Sequence, residues 1–250
     1  MALYMIGIGL SDEKDITVKG LEAVKRCSKV FLEGYTSILQ VPKENLEEFY
    51  GKEVIVADRE MVEKRSDEIL DAGEDVAFLV IGDVFSATTH TDLRNRAFEK
   101  DMDVFVINNT SVMTAVGVTG LELYKFGKTT SIPFPEKGFE PETPYDVVKM
   151  NKSNGLHTLL LLDLRPTEGK FMTVNDALTY LLVVEEKRGE GVFTKDSVCL
   201  GVARLGSENV VKYGKASDLI KEDFGTAPHC LIVPGKLHFV EEEALEKFRD

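Results

Sequence analysis

The chain has 250 residues, 43% of them apolar and 29% charged, enough to bury one sizeable core or two smaller ones. That balance excludes disordered, collagen-like and disulfide-scaffold chains. Thirty Lys and Arg against 43 Asp and Glu leave a net charge of −13, which repels a phosphate backbone and argues against direct nucleic-acid binding.

Short apolar runs recur along the first part of the chain: Leu3–Gly9, Val30–Leu32, Val54–Ala57, Val76–Ile81 and Val104–Asn108. Between them lie segments of helical spacing. Val18, Leu21, Val24 and Cys27 fall three apart and are expected to share one buried face, with Thr17 capping the helix start. Strand then helix, repeated, predicts a parallel sheet covered by helices. The unbroken apolar character of Val76–Ile81 predicts a strand buried on both faces.

The texture changes near Phe126. Ser131–Pro144 holds Pro133, Pro135, Gly138, Pro141 and Pro144 and reads as loop. A second set of strands is expected at Leu156–Leu164, Val198–Ala203 and Cys230–Val233, with a helix over Val174–Lys187 capped by Thr173. The fold class is therefore two α/β domains, a parallel-sheet domain over residues 1–112 and a mixed-sheet domain over residues 113–250.

No apolar run approaches the ~20 residues that span a bilayer, and Met1–Leu10 lacks a charged leading region. A soluble, unexported protein with no membrane partner is expected. Cys27, Cys199 and Cys230 are widely spaced and odd in number, which fits buried thiols in a reducing cytoplasm.

Three segments are placed to carry chemistry. The first strand runs into Gly7-Ile8-Gly9-Leu10, where glycine lets a ligand or another backbone approach closely. The third glycine of a dinucleotide fingerprint is missing, so a plain strand-to-loop turn reads equally well. The fourth strand runs into Gly82-Asp83-Val84-Phe85-Ser86. At the carboxyl end of a sheet strand, Asp83 and Ser86 either meet a ligand or cap the helix that follows. Asn108–Gly117 follows the fifth strand with small residues, which permit either tight helix packing or a flat ligand. The four histidines, His90, His157, His229 and His238, form no zinc-binding spacing, and neither G-x-S-x-G nor a P-loop is present. No metal is expected. His229 either touches a ligand at a strand start or bonds a backbone carbonyl.

Together these segments resemble the tetrapyrrole-methylase-like class of S-adenosylmethionine-dependent methyltransferases. Leu3–Gly9 with Asp12, Asp15, Ile16 and Thr17 is similar to its first loop, and Val76–Asp83 to its strand leading to Gly-Asp-Pro. Longer runs resemble the branch of that class acting in diphthamide biosynthesis: Asp15–Glu22, Ala87-Thr88-Thr89-His90, Ala115–Leu121 with Tyr124–Lys128, and Leu231–His238. Two departures from the wider class stand out. Val84 replaces the proline after Gly-Asp, and Leu10-Ser11 replaces Pro-Gly.

The resemblance implies a two-domain fold with the methyl donor, S-adenosylmethionine, in an interdomain cleft, a cytoplasmic homodimer, and elongation factor 2 as acceptor. The acceptor's modified histidine carries an amino-carboxypropyl arm methylated on its amino nitrogen. By position in matching motifs, the donor-binding residues implied are Leu10, Asp83, Ser86, Ser111, Val112, Leu162, Leu205 and His229. Asp83 is the expected polar anchor, and Val112, Leu162 and Leu205 the apolar walls. No residue stands out as a general base. Arg94, Arg96, Lys125, Lys128 and Arg204 either face the acceptor's carboxylate or are solvated surface charge. The competing readings are a corrin-type tetrapyrrole methylase, an NAD-linked dehydrogenase and a non-catalytic sensor of the adenosyl ligand.

Overall fold

The computed structural model describes residues 1–136, 138 and 140–249. Its contacts divide the chain into two compact units, Met1–Met113 with Arg165–Glu168, and Thr114–Leu164 with the stretch from Gly169 onward.

In the first unit, β1 (Ala2–Gly7), β2 (Lys29–Glu33), β3 (Ile55–Ala57), β4 (Val76–Val80) and β5 (Asp103–Ile107) form one sheet in the order β3-β2-β4-β1-β5. Every pairing is parallel, with Leu3 opposite both Val76 and Val104. All five residues of β4 are buried, as its unbroken apolar run predicts. Alternate side chains feed two cores. Val76, Phe78 and Val80 pack with Phe31, Leu93 and Ala97, while Ala77, Leu79 and Ile81 pack with Ala23, Val24 and Leu46.

The covering helices are α1 (Val18–Arg26), α2 (Lys43–Tyr50), α3 (Arg59–Glu63), α4 (Asp67–Leu70) and α5 (Thr91–Glu99), followed by the short α6 (Val112–Ala115). Thr17 caps α1, its Oγ1 accepting from the Gly20 N–H at 3.0 Å. The expected apolar face of α1 needs correcting at its first residue. Val18 is 76% exposed, and the buried positions are Gly20, Ala23 and Val24, with Cys27 beyond them. Residues three apart slip about 60° around a helix at each step, so a row of them does not stay on one face.

The chain leaves β1 in one direction, toward β2 and β3, and leaves β4 in the other, toward β5. Neighbouring strands with diverging connections open a crevice at their carboxyl ends, where open α/β sheets bind ligands. Here that crevice lies at the ends of β1 and β4.

In the second unit, β6 (Thr130–Ile132), β7 (Thr158–Leu162), β10 (Val198–Ala203), β11 (Val210–Lys215) and β12 (His229–Val233) form a sheet in the order β11-β10-β12-β7-β6; β8 (Leu164–Arg165) and β9 (Lys170–Phe171) are two residues each. The sheet is mixed, because β6 pairs parallel with β7 while the other three pairings are antiparallel. Its core gathers Leu160, Leu178, Leu181, Phe193, Phe224 and Leu231. The helices are α7 (Thr143–Ser153), α8 (Val174–Arg188), α9 (Ala216–Leu219) and α10 (Phe239–Leu245). Thr173 closes a capping box with Asp176 at the start of α8.

The loop expected over Ser131–Pro144 is shorter than its prolines imply. Strand β6 occupies Ser131 and Ile132, and α7 already includes Thr143 and Pro144. A proline in the first turn of a helix lacks an N–H that would find no partner there anyway, so Pro144 starts the helix instead of breaking it. Lys137 and Phe139, within the same expected loop, lie outside the described residues. Among the described residues, no helix is long and apolar enough to cross a membrane.

Candidate functional site

At the crevice of the first sheet, β1 and β4 end in a backbone bridge. Gly82 N–H donates to the Gly9 carbonyl at 2.6 Å, and Gly9 N–H donates back to the Gly82 carbonyl at 3.3 Å. Both glycines are left-handed, with φ of 81° and 86°. A Cβ on Gly9 would lie 2.3 Å from Cβ of Asp15, so no other residue fits there. Asp15 closes the loop from below, its Oδ2 accepting from the N–H of Leu10 at 3.1 Å and of Ser11 at 2.8 Å. Asn109 ties the same floor from β5, donating through Nδ2 to the carbonyls of Gly7 at 3.0 Å and Asp15 at 2.9 Å.

Asp83 lies one residue past this bridge. Its Oδ2 accepts from Asn108 Nδ2 at 2.9 Å and from the Asn109 N–H at 3.1 Å, while Oδ1 accepts from the Phe85 N–H at 3.2 Å and Ser86 Oγ at 3.3 Å. Burial works to raise its pKa, but these donors outweigh it and hold the carboxyl below the ordinary aspartate value. Asp83 therefore stays ionised and knits the loop after β4 to the end of β5. Of the two roles open to it from sequence, helix capping falls away: α5 begins at Thr91 with His90 at its N-cap position, and no side-chain hydrogen bond caps it.

Five of the expected residues converge here. A Cβ on Gly82 would lie 3.7 Å from Leu10 Cδ2 and 3.8 Å from the Ser111 Cα. Ser86 bonds Asp83, Ser111 is buried, and Val112 follows it at the start of α6. Asp15, Asn108 and Asn109 build the floor as well. The sequence places Asp15 in the first motif and Asn108-Asn109 at the head of the third chemistry-bearing segment, but carries no local signal of which groups they bond.

The other three lie in the second unit, at one end of its sheet. Leu162 ends β7, His229 starts β12, and Leu205 lies two residues past Ala203, which is paired with His229. Each of the three is largely buried, Leu162 at 7% exposure and Leu205 and His229 at 8%. The His229 ring is engaged within the unit: Nδ1 accepts from the Val174 N–H at 3.3 Å, and Nε2 donates to the carbonyls of Gly225 and Thr226, each at 3.1 Å. Burial lowers its pKa, and the ring fills the second role left open by the sequence, bonding backbone carbonyls.

The basic residues weighed from sequence are mostly engaged by protein groups. Arg96 pairs with Asp92 at 2.8 Å, Arg204 donates to the carbonyls of Phe224 and Thr226 at 2.9 and 2.8 Å, and Lys125 pairs with buried Glu241. Arg94 lies over the Phe85 ring at 5.1 Å. Lys128 is exposed. Among the described residues, no group of three or more His, Cys, Asp and Glu side chains is arranged to hold a metal ion.

A family model described as tetrapyrrole (corrin/porphyrin) methylases matches residues 2–194. The chain belongs to that family. A protein of Methanococcus maripaludis named diphthine synthase is 48% identical over 98% of this chain and 97% of its own. One of Dictyostelium discoideum named diphthine methyl ester synthase is 45% identical over 100% of this chain and 98% of its own. A solved structure of diphthine synthase superposes with a TM-score of 0.90 at 39% identity, covering 100% of this chain and 96% of the other. The family carries the two-unit α/β architecture described above, and the chain is a methyltransferase.

Proposed function

We propose that this chain is a diphthine synthase: an S-adenosylmethionine-dependent enzyme that methylates the amino nitrogen of 2-(3-amino-3-carboxypropyl)histidine on elongation factor 2, in diphthamide biosynthesis. The observation that carries the reading is the likeness, over essentially the whole chain and at 45% to 48% identity, to curated proteins bearing that name or its methyl-ester form. Cytoplasmic location and a homodimeric state belong to the same reading.

The residues at the crevice suit the donor chemically. Gly7, Gly9 and Gly82 remove side chains from the floor, and a Cβ on Gly7 would lie 2.7 Å from the Gly82 carbonyl. Leu10, Asp83, Ser86, Ser111 and Val112, all in the first unit, would hold S-adenosylmethionine; Leu162, Leu205 and His229 of the second unit enter the reading as the family resemblance implies them. Apolar Leu10, Val112, Leu162 and Leu205 suit the adenosine, while hydroxyls and backbone groups suit its polar atoms. When bound, S-adenosylmethionine supplies a methyl group on a sulfonium, open to in-line displacement.

What the protein contributes to such a displacement is position more than acid–base chemistry. The four hydrogen bonds accepted by Asp83 fix the loop after β4, so its ionised carboxylate anchors the loop that carries Ser86. No side chain is assigned as a general base. The acceptor amine loses its proton to water before it attacks, and a primary amine takes up to three methyl groups in succession. The Dictyostelium relative's name specifies a methyl ester, which places a further methyl on a carboxylate of that protein's product.

The test is transfer of labelled methyl from S-adenosylmethionine to elongation factor 2 bearing the amino-carboxypropyl histidine. Label on the factor and none on its unmodified form is the expected result. Donor binding without transfer to the factor, but with transfer to a tetrapyrrole, would overturn the acceptor assignment.

A further inference from the structure

The segment Ala87-Thr88-Thr89-His90 stands between the loop after β4 and helix α5, and none of its side chains belongs to the donor set above. Its geometry is nonetheless specific. The carbonyl of Val84, in the middle of that loop, accepts two side-chain hydrogen bonds: from Thr88 Oγ1 at 2.8 Å and from His90 Nδ1 at 3.2 Å. A carbonyl only accepts, so the neutral ring carries its proton on Nδ1. His90 is 1% exposed and meets Phe78 of β4 edge-on, with ring centroids 5.3 Å apart, which fixes the ring against the sheet. Between the donors and the carbonyl, Ala87 sits in the left-handed region at φ 60°, a conformation that an alanine holds only when its surroundings enforce it. Position 84 is valine, so its own φ is not fixed covalently as a proline's would be. The Val84 side chain is fully buried in the core that also contains Leu93 of α5.

We infer that Thr88 and His90 are positioning residues, whose paired hydrogen bonds to the Val84 carbonyl hold the loop after β4 in the one shape that presents Asp83 and Ser86 to the methyl donor. The inference rests on the proposed function for its ligand, though not for the loop geometry. The carboxylate of Asp83 binds the near half of the loop to Phe85 and Ser86, and the Thr88–His90 pair binds its middle to the start of α5. Both fastenings act on the stretch between Gly82 and α5. Burial lowers the pKa of His90, so it serves as a neutral donor and the fastening does not titrate near neutrality.

The experiment compares Thr88→Val, His90→Gln and His90→Asn in the full chain, by amide exchange over Phe85–Thr89 without ligand and by calorimetric titration with S-adenosylmethionine. In His90→Asn the side-chain N–H takes the place of the ring's Nδ1–H; in His90→Gln it lies one bond further out. Loss of one hydrogen bond of this kind changes an equilibrium by roughly tenfold. Thr88→Val and His90→Gln are expected to speed loop exchange and raise the donor Kd by about fivefold to tenfold, while His90→Asn stays within about twofold. Melting temperatures separate loop effects from global loss, and Thr88→Val carries the test alone where a His90 variant does not fold. Equal behaviour of Asn and Gln, or unchanged loop exchange in Thr88→Val, overturns the inference. Faster loop exchange in Thr88→Val and His90→Gln, where the wild-type protein itself binds no donor, upholds the loop assignment and defeats the proposed function instead.

Discussion

His157 donates through Nε2 to Oε1 of Glu241 at 2.9 Å, and both side chains are fully buried, 84 residues apart in sequence. The ring is oriented from its other side, where Nδ1 accepts from the Gly235 N–H at 3.0 Å. Glu241 also accepts from Lys125 Nζ and from the N–H groups of Glu122 and His238, both 2.8–2.9 Å away. One carboxylate thus fastens α10 to the ends of the second sheet.

Acid stability follows from these buried groups. Burial works to raise the Glu241 pKa, but its donors outweigh burial and hold it at about 2, against an ordinary 4.5. Its contribution is therefore complete above pH 4.5 and is lost as pH falls toward 2. Burial also lowers the pKa values of His90, His157 and His229 below 6.5, so each stabilises fully above that pH and less as pH falls through it. Urea midpoints are expected to fall progressively once pH drops below about 6.5. Glu241→Ala should cost about 3–5 kcal/mol at neutral pH, since it strands a buried histidine and removes the partner of the half-buried Lys125. Midpoints that stay level from neutrality to pH ~4 would contradict this account.

Asp83→Ala removes the acceptor for four donors at once. Donor affinity should fall at least several-fold by calorimetry, with a stability loss of about 1.5–3 kcal/mol from unpaired groups. Asp83→Asn keeps one acceptor oxygen and should fall between wild type and Asp83→Ala. Unchanged donor affinity in Asp83→Ala would remove this residue from the site.

Much of this arrangement is visible in the sequence wherever local pattern and burial coincide. Strands β4 and β10 are buried almost throughout, so their apolar runs stand out unaided. Thr17 and Thr173 announce helix starts because a hydroxyl at that position satisfies an otherwise unpaired N–H. Strand β11 is harder to see, being an edge strand of half-buried side chains paired on one side only. Helix α10 hides its start because its cap is His238, although Glu241 three residues on completes a capping box. The glycines and Asp83 mark the crevice, but two of the four partners of Asp83, Asn108 and Asn109, lie 25 and 26 residues away, past the end of another strand. Local pattern does not carry that information; sheet order does.

The three cysteines are chemically quiet. Cys27, Cys199 and Cys230 are buried and unpaired, and burial pushes their thiols up to about 11, 12 and 12. Replacing all three by alanine should lower the melting temperature yet leave turnover per folded molecule within about twofold. Abolished turnover in a folded triple variant would restore a covalent or redox role.

With no protein base assigned, single-turnover methyl transfer should speed up with pH until the acceptor amine is fully deprotonated, then level off. The rise should follow the amine's own pKa and persist in His90→Asn. A rate independent of pH across that range would require a base within the protein.

The most direct measurement is intact-mass analysis of elongation factor 2 bearing the amino-carboxypropyl histidine, after incubation with this protein and S-adenosylmethionine. The account predicts mass gains in whole methyl steps on the modified factor, with the heaviest species giving the number of transfers and showing whether a carboxylate is esterified after the amine. No gain on that acceptor, from protein shown to bind the donor, would contradict it.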